Sequence, residues 1–295
     1  MAKARELRRR IRSVQNTRKI TKTMELVSTS KLKRAQDRVI AARPYATALA
    51  DVIGDLYSPE LAERFPLLRQ PTHDAPRTAV VLITSNRGLC GAFNANLIRE
   101  ARRRLESEEA RGAQTELHLV GRKGVSYFKF THRPVASQRI DIGDKPTAAH
   151  AAELVDPLMA RFEQGTLDAV DLVFAKFNSA VSTPPAVVRI LPVAAPEKRR
   201  SDGRTAPAAV NYILKPSAEA ILEELLPLYV RNQVYRALVE TAAAEHGARR
   251  TAMKNATDAG DEMLNILRRT FNRARQAQIT QELAEIVGGA EALKG

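Results

Sequence analysis

The sequence predicts an α/β chain in which two very long terminal helices pair as an antiparallel coiled coil around an inserted α/β domain. Three observations predict it. Both ends carry apolar and small residues at helical spacing, the middle alternates short apolar runs with helical stretches, and proline-bearing segments mark the joins. The expected division is 1–57 for the N-terminal helix, 58–76 for a linker, 77–211 for the inserted domain and 212–295 for the C-terminal helix that pairs with the first.

Residues 2–57 hold no proline except Pro44 and no glycine except Gly54, and read as one helix. Ile11, Val14, Thr17, Thr21, Met24, Ser28, Leu32, Ala35, Val39 and Ala42 follow one another by three or four, the spacing of a coiled-coil seam, here unusually small and polar. A helix of that span would be roughly 80 Å long. Residues 58–77 then carry Pro59, Pro66, Pro71 and Pro76, which interrupt helices, so the stretch reads as a linker or capping loop.

The periodicity changes beyond it. Residues 78–84 are an apolar run fit for a buried strand; 94–109 reads as a helix, 116–120 as a strand, 147–162 as a helix, and 169–177 and 186–191 as strands. Strands alternating with helices argue for a largely parallel sheet of Rossmann-like kind over about residues 77–195.

A basic, proline-bearing segment, 195–207, leads to the second long helix, for which Ser217 suits the N-cap. Val230, Val234, Ala237, Thr241, Ala244, Ala248, Ala252, Ala256, Ala259, Met263, Ile266, Thr270, Ala274 and Ala277 again step by three or four, a seam dominated by alanine. Pro227 is expected to break or kink this helix near its start, and Gly247 and Gly260 to weaken it locally. Neither terminal helix can cover its seam alone. Packing the two against each other solves both problems and turns the α/β domain into an insertion between the arms of a shaft.

Charge is unevenly spread. Lys and Arg outnumber Asp and Glu by 47 to 33, and residues 1–43 alone hold fourteen basic against three acidic residues, while 217–295 are one charge negative. A basic arm of this kind meets nucleic acid, an anionic membrane surface or an acidic protein surface. It has no aromatic residue before Tyr45 on which bases would stack, and a continuous seam, which favours the protein surface. One cysteine, Cys90, excludes an internal disulfide and a zinc module and suits a reducing compartment. No stretch reaches the roughly 20 apolar residues of a membrane span, and no apolar run follows the N-terminal charges, so a soluble, cytosolic location is expected.

Candidate chemistry is sparse. Residues 85–94, SNRGLCGAFN, follow a strand and open a helix, where doubly wound sheets bind phosphates. Yet Gly88 and Gly91 make GxxG and not GxGxxG, the chain has no GK[ST], and the second strand ends Val120-Gly121-Arg122-Lys123 without an acidic residue, so a tight strand-to-helix turn is the competing reading. Cys90 has no accompanying histidine signature and reads as a small apolar thiol. Asp141 and Asp144 lack calcium-loop spacing and read as a solvated turn. No carboxylate pair, triad or metal cluster stands out. A nucleic-acid-binding coiled coil and a nucleotide-dependent enzyme remain as alternatives.

Three stretches taken together are specific. Residues 11–25 (IRSVQNTRKITKTME), 85–94 (SNRGLCGAFN) and 273–287 (RARQAQITQELAEIV), with 253–258 (MKNATD) also in pattern, resemble the gamma subunits of F-type ATP synthases, in order and from one end of the sequence to the other. The resemblance implies a non-catalytic rotor shaft. Its coiled coil sits inside a hexamer of three alpha and three beta subunits, and its inserted domain lies at the foot beside the epsilon subunit and the c-ring. Rotation there couples proton or sodium flow to ATP synthesis or hydrolysis. No cofactor, metal or nucleic acid is implied, and the place of work is the cytoplasmic face of a bacterial plasma membrane, held there peripherally through the complex.

Carried over position by position, Met24 matches a coupling position near an acidic beta-subunit loop, and Arg275 and Gln276 match a pair that hydrogen-bonds a beta-subunit loop high on the shaft. Thr280 and Glu282 match neighbouring coupling positions, and Tyr212 and Lys215 match positions facing the c-ring loops. Lys215 departs from the acidic residue frequent there, which puts an ion pair with a basic ring loop in question. The cysteine pair of thiol-regulated plant chloroplast members is missing.

Overall fold

A computed structural model describes residues 2–56, 64–70, 76–194 and 218–292. Ser217, Tyr212 and Lys215, most of the 58–77 linker and the 195–207 segment lie outside the described residues. In chain order the elements are α1 (Ala2–Leu56), a 3-10 turn (Pro66–Leu68), β1 (Arg77–Ile83), α2 (Phe93–Glu109), β2 (Gln114–Val120), α3 (Arg122–Phe130), β3 (Ser137–Arg139), α4 (Ala148–Glu163), β4 (Ala169–Ala175), β5 (Pro185–Leu191) and α5 (Ala218–Ala292). The chain falls into two units. One is Ser30–Ala248; the other joins Met1–Thr29 to Arg249–Gly295.

In the larger unit the strands line up as β3-β2-β1-β4-β5. β1 pairs in parallel with β2 and β4, and β2 with β3. β5 runs antiparallel to β4, so the sheet is mixed where the sequence suggested a largely parallel one; the hairpin-length connection after β4 has no room for a crossover helix. Alternation along the strands feeds two cores. Ala79, Val81 and Ile83 of β1 join Val170, Leu172 and Phe174 of β4 on one face, covered by Val155, Leu158, Met159 and Phe162 of α4. Val80, Leu82 and Val173 face the other way, under Phe93, Leu97, Ala101 and Leu105 of α2 and Phe128 of α3. Neither α3 nor β3 is anticipated by the pattern, because both are short and carry few apolar residues in phase.

The long helices supply both cores. Leu49, Ile53 and Leu56 of α1 and Leu222, Leu226, Val230 and Val234 of α5 belong to the first, and Leu32, Ala35 and Val39 with Val239, Ala243 and Ala244 to the second. Of the break or kink expected at Pro227, the break is not found: α5 is one helix from Ala218 through it. The proline deprives one carbonyl, that of the exposed Glu223, of its helical donor, and buried Leu222, Leu226 and Val230 hold the turns on either side. Pro44 sits inside α1 in the same way.

The smaller unit is a pair of antiparallel helix ends. Thr21 and Thr257 share a buried hydrogen bond of 2.8 Å between hydroxyls, Arg18 meets Asp261 at 2.5 Å, and the Arg8 guanidinium lies 5.5 Å from the centre of the Phe271 ring. As the α1 numbers rise, their α5 partners fall. The covered line on α5 is Met253, Thr257, Gly260, Leu264, Leu267 and Phe271, one residue away from the expected Ala252, Ala256, Ala259, Met263, Ile266 and Thr270. The alanine pattern drew the seam to the wrong face. A buried threonine is satisfied by its opposite number, and Thr257 and Gly260 interrupt the apolar spacing of the true line where the neighbouring line has an even run of alanines; Met263 and Ile266 are left more than half exposed.

Candidate functional site

The 85–94 loop consumes its own polar groups. Ser85 N donates to Asn94 Oδ1 at 3.0 Å, the Asn94 amide donates to Ser85 Oγ (2.9 Å) and Cys90 Sγ (3.1 Å), and the Asn86 amide donates to Ile142 O. The N–H groups at the start of α3 are taken as well: Arg122 N by Asn86 Oδ1, Lys123 N by Ser85 O and Gly124 N by Thr84 Oγ1. Gly121, at φ +96°, brings the chain against Thr84 so closely that a Cβ would lie 2.1 Å from the Thr84 carbonyl. These are the donors a phosphate would need. The loop is a tight strand-to-helix turn, and Cys90 is a buried thiol within it.

In a sheet of this order the ligand crevice lies between β1 and β4, where the strand order reverses. β1 stops pairing with β4 at Leu82–Val173, while β4 runs on. Its next two N–H groups on that side, Ala175 and Phe177, donate to Thr241 Oγ1 (3.3 Å) and Glu240 Oε2 (3.1 Å) of α5, whereas the intervening Lys176 N–H turns to Pro184 O. Glu240 is 2% exposed and takes a second hydrogen bond from Arg236 Nε at 2.8 Å. About two helical turns after Glu240, a Cβ on Gly247 would approach Ala180 O to 3.1 Å. The crevice is filled by the chain's own C-terminal helix.

Asp144 is not the solvated turn residue the sequence suggested. It accepts from Lys31 Nζ at 2.5 Å, lies 3.6 Å from the buried His246 ring, and offers its backbone carbonyl to Arg38 at 2.9 Å, so it ties α1, α5 and the loop before α4 together. Burial works to raise its carboxyl, but the hydrogen bond from Lys31, with the electrostatic influence of His246, Lys31 and Arg87, outweighs it and holds the carboxyl below the usual range. Asp141 is a surface partner of Arg139. A cleft of about 610 Å³ opens nearby between Ala42 and Tyr45 of α1, Ala148 and Ala152 of α4, and Leu228 and Tyr235 of α5. Its two guanidiniums are engaged: Arg231 grips Asp156 through two hydrogen bonds and Arg38 binds the Asp144 carbonyl. Among the described residues no cluster of His, Cys, Asp and Glu could hold a metal ion, and no helix is long and apolar enough to cross a membrane.

The positions carried over from the resemblance lie on the helical pair. Met24 is half-buried on α1; Arg275, Gln276, Thr280 and Glu282 are exposed on α5. The Thr280 hydroxyl donates to Gln276 O and Glu282 accepts from the Gln278 amide, contacts internal to one helix. By the pairing of Thr21 with Thr257, Met24 sits opposite the region of residue 254, some 30 Å along α5 from Arg275, so it is not brought together with the other four. Around those four, Ile279, Leu283, Ile286 and Val287 stand exposed at helical spacing, an apolar stripe that nothing in this chain covers among the described residues. Glu240 is the site residue that the sequence reading missed. Its signal was a lone carboxylate after Leu238-Val239 in an otherwise apolar turn, with Arg236 four residues before it.

A family model described as ATP synthase matches residues 3–293. Over 296 residues the chain is 63% identical to the ATP synthase gamma chain of Gemmatimonas aurantiaca, and over 294 residues 46% identical to that of Moorella thermoacetica, with the whole of each chain covered in both. The chain belongs to the ATP synthase gamma chain family. As a gamma chain it is a non-catalytic rotor subunit, and the nucleotide-dependent enzyme reading is set aside. Among solved structures it is similar to a chain of the central stalk and c-ring of the Tetrahymena thermophila mitochondrial ATP synthase, at 27% identity and a TM-score of 0.60, covering 80% of this chain and 99% of that one. A chain of the Euglena gracilis mitochondrial enzyme shares the fold at 19% identity and a TM-score of 0.67, covering 99% and 95%.

Proposed function

We propose that this gamma chain turns as the central shaft inside a sleeve of three alpha and three beta subunits and carries torque between that sleeve and an ion-driven c-ring. Its foot meets the c-ring and the epsilon subunit on the cytoplasmic face of a bacterial plasma membrane, and the machine makes or hydrolyses ATP as protons or sodium ions pass. The observation that carries the reading is the uncovered end of α5, where Ile279, Leu283, Ile286 and Val287 face outward beside Arg275, Gln276, Thr280 and Glu282. An apolar stripe of that kind on a helix end asks for a sleeve.

A body turning in a threefold sleeve needs contacts that differ with angle without trapping it at any one. Coupling of that kind requires only about 1–3 kcal/mol between states. Small polar contacts and exposed charges suit it, and the basic residues of α1 meet acidic beta-subunit loops, with Met24 at the nearest of them. Arg275, Gln276, Thr280 and Glu282 act as the high rotor–stator contacts; Tyr212 and Lys215 face the c-ring. The division at residues 57, 76 and 211 into helix, linker, domain and helix goes with this role.

Native mass spectrometry of the chain mixed with the alpha and beta subunits of its source, with ATP hydrolysis assayed on the same sample, tests it. A 3:3:1 complex whose hydrolysis depends on this chain is the expected result. Free chain and no added hydrolysis, with every component folded, would return the basic arm to a nucleic-acid partner. Met24→Lys should leave assembly intact and lower the ATP made per ion in reconstituted vesicles.

A further inference from the structure

We propose that Glu240 and Thr241 form a register key: seated in the crevice between β1 and β4, they fix where α5 stands along and about its own axis against the sheet. The crevice that a doubly wound domain offers to a ligand is thereby used as a socket for the shaft helix.

The need arises from the composition of the contact. Nearer its start α5 packs Leu222, Leu226, Val230 and Val234 into the core, but beside the crevice Ala237, Ala243, Ala244 and Gly247 give it a stretch of small side chains. Apolar burial is non-directional, and a row of alanines offers few knobs to oppose sliding. A slip of one residue moves a helix about 1.5 Å and turns it by about 100°. Such a slip breaks the two hydrogen bonds, whatever becomes of the apolar contacts. Adjacent helix positions point in directions about 100° apart, and here they reach two N–H groups spaced two residues along β4. A second placement of α5 does not satisfy both. Slipped, the chain would bury the Ala175 and Phe177 N–H groups unpaired and leave the Glu240 carboxylate with Arg236 alone. Gly247 adds a stop, since the backbone of Ala180 already lies at contact distance from it. Specifying register is the best-attested use of a buried polar group, and Glu240 fits that use better than a stabilising one.

The register follows from these contacts; its consequence, that the α/β domain and α5 turn as one body under load, rests on the shaft reading above. The two are separable. In the full chain with Cys90→Ala, spin labels on Glu224→Cys of α5 and Lys129→Cys of α3 report the placement by pulsed electron paramagnetic resonance, whether or not the chain is a rotor. One narrow distance is expected with the key intact, and a broadened or second distance in Glu240→Leu/Thr241→Val. Glu240→Gln, which keeps an acceptor for the Phe177 N–H, should restore the single distance. A single unshifted distance in the double variant overturns the key. If that variant does not fold, Thr241→Val alone should speed amide exchange at Ala175 by about tenfold, and unchanged exchange overturns it equally. In the assembled enzyme the slipped variant should make less ATP per ion while hydrolysing at the normal rate. Normal yield together with a confirmed slip would count against the shaft reading of the domain and leave the key standing.

Discussion

The two units of this chain bury different things. In Ser30–Ala248 the interior is conventional, with both sheet faces closed by leucine, valine and phenylalanine. In the helix ends, Met253 and Leu264 are the buried apolar residues, and Thr21, Ser28, Arg249 and Thr257 are buried beside them. The first unit is built to have one conformation. The second carries much of its apolar surface outward, so its solitary state is the less finished one, and partners are part of its stability.

The sharpest way to break that contrast is to cut equally into both. Leu172→Ala empties a site buried on every side at the centre of the sheet and should cost about 3 kcal/mol, within the usual range for such truncations, read by denaturant unfolding. A loss below about 1 kcal/mol would mean the sheet core is as loose as the helix ends. Thr257→Val removes the hydroxyl bridge to Thr21 and should cost about 1 kcal/mol, appearing as faster amide exchange in the helix ends with β1 and β4 unaffected. Exchange that rises equally throughout would show the units to be one cooperative body.

Acid should distinguish them too. The Glu116 carboxyl is lowered to about 2 by its hydrogen bond with His118 and the bidentate Arg161 pair. A carboxyl depressed on folding stabilises the folded state at pH above its ordinary value near 4.5, and that contribution disappears as pH falls toward 2. Arg161→Ala should therefore bring acid unfolding of the sheet unit to higher pH, and a carbon-13 titration should find Glu116 protonating near 2 in the intact chain. Protonation at about 4.5 would show the network to be unformed. Smallest of all, removal of residues 281–295 should leave the unfolding midpoint of the sheet unit where it was, because residues 281–290 of α5 are exposed. Loss of sheet and helix signal by circular dichroism would contradict it, while weaker assembly with the alpha and beta subunits is expected.

Legibility in the sequence followed the same divide. Strands β1, β2, β4 and β5 were readable within a residue or two because each is short and stands between breakers, and in β1 and β4 burial on both faces leaves no phase to misjudge. The seam of α5 was readable as far as Ala248 and then lost by one residue, because an even run of alanines marks the neighbouring line while Thr257 and Gly260 interrupt the covered one, and periodicity reports only apolarity. Pro227 misled for a related reason: propensity weighs the missing hydrogen bond and not the leucines that hold the turn from beneath. The proposed coupling positions rest on resemblance alone. Exposed Arg275 or Thr280 carries no local sign of use, and the fold without its partners adds none.

The plugged crevice also bears on how the chain is made. A ribosome delivers α1 first and the residues from Val230 to Ala248 only well after β5, yet both sheet cores, and the N–H groups of Ala175 and Phe177, are completed only by that later segment. The domain therefore cannot finish folding as it emerges. It waits with an open groove and an uncovered first helix until the second arm emerges, a long-range closure of the slow kind. Inserting a domain between the two arms of a shaft makes its completion depend on the arm that is made later.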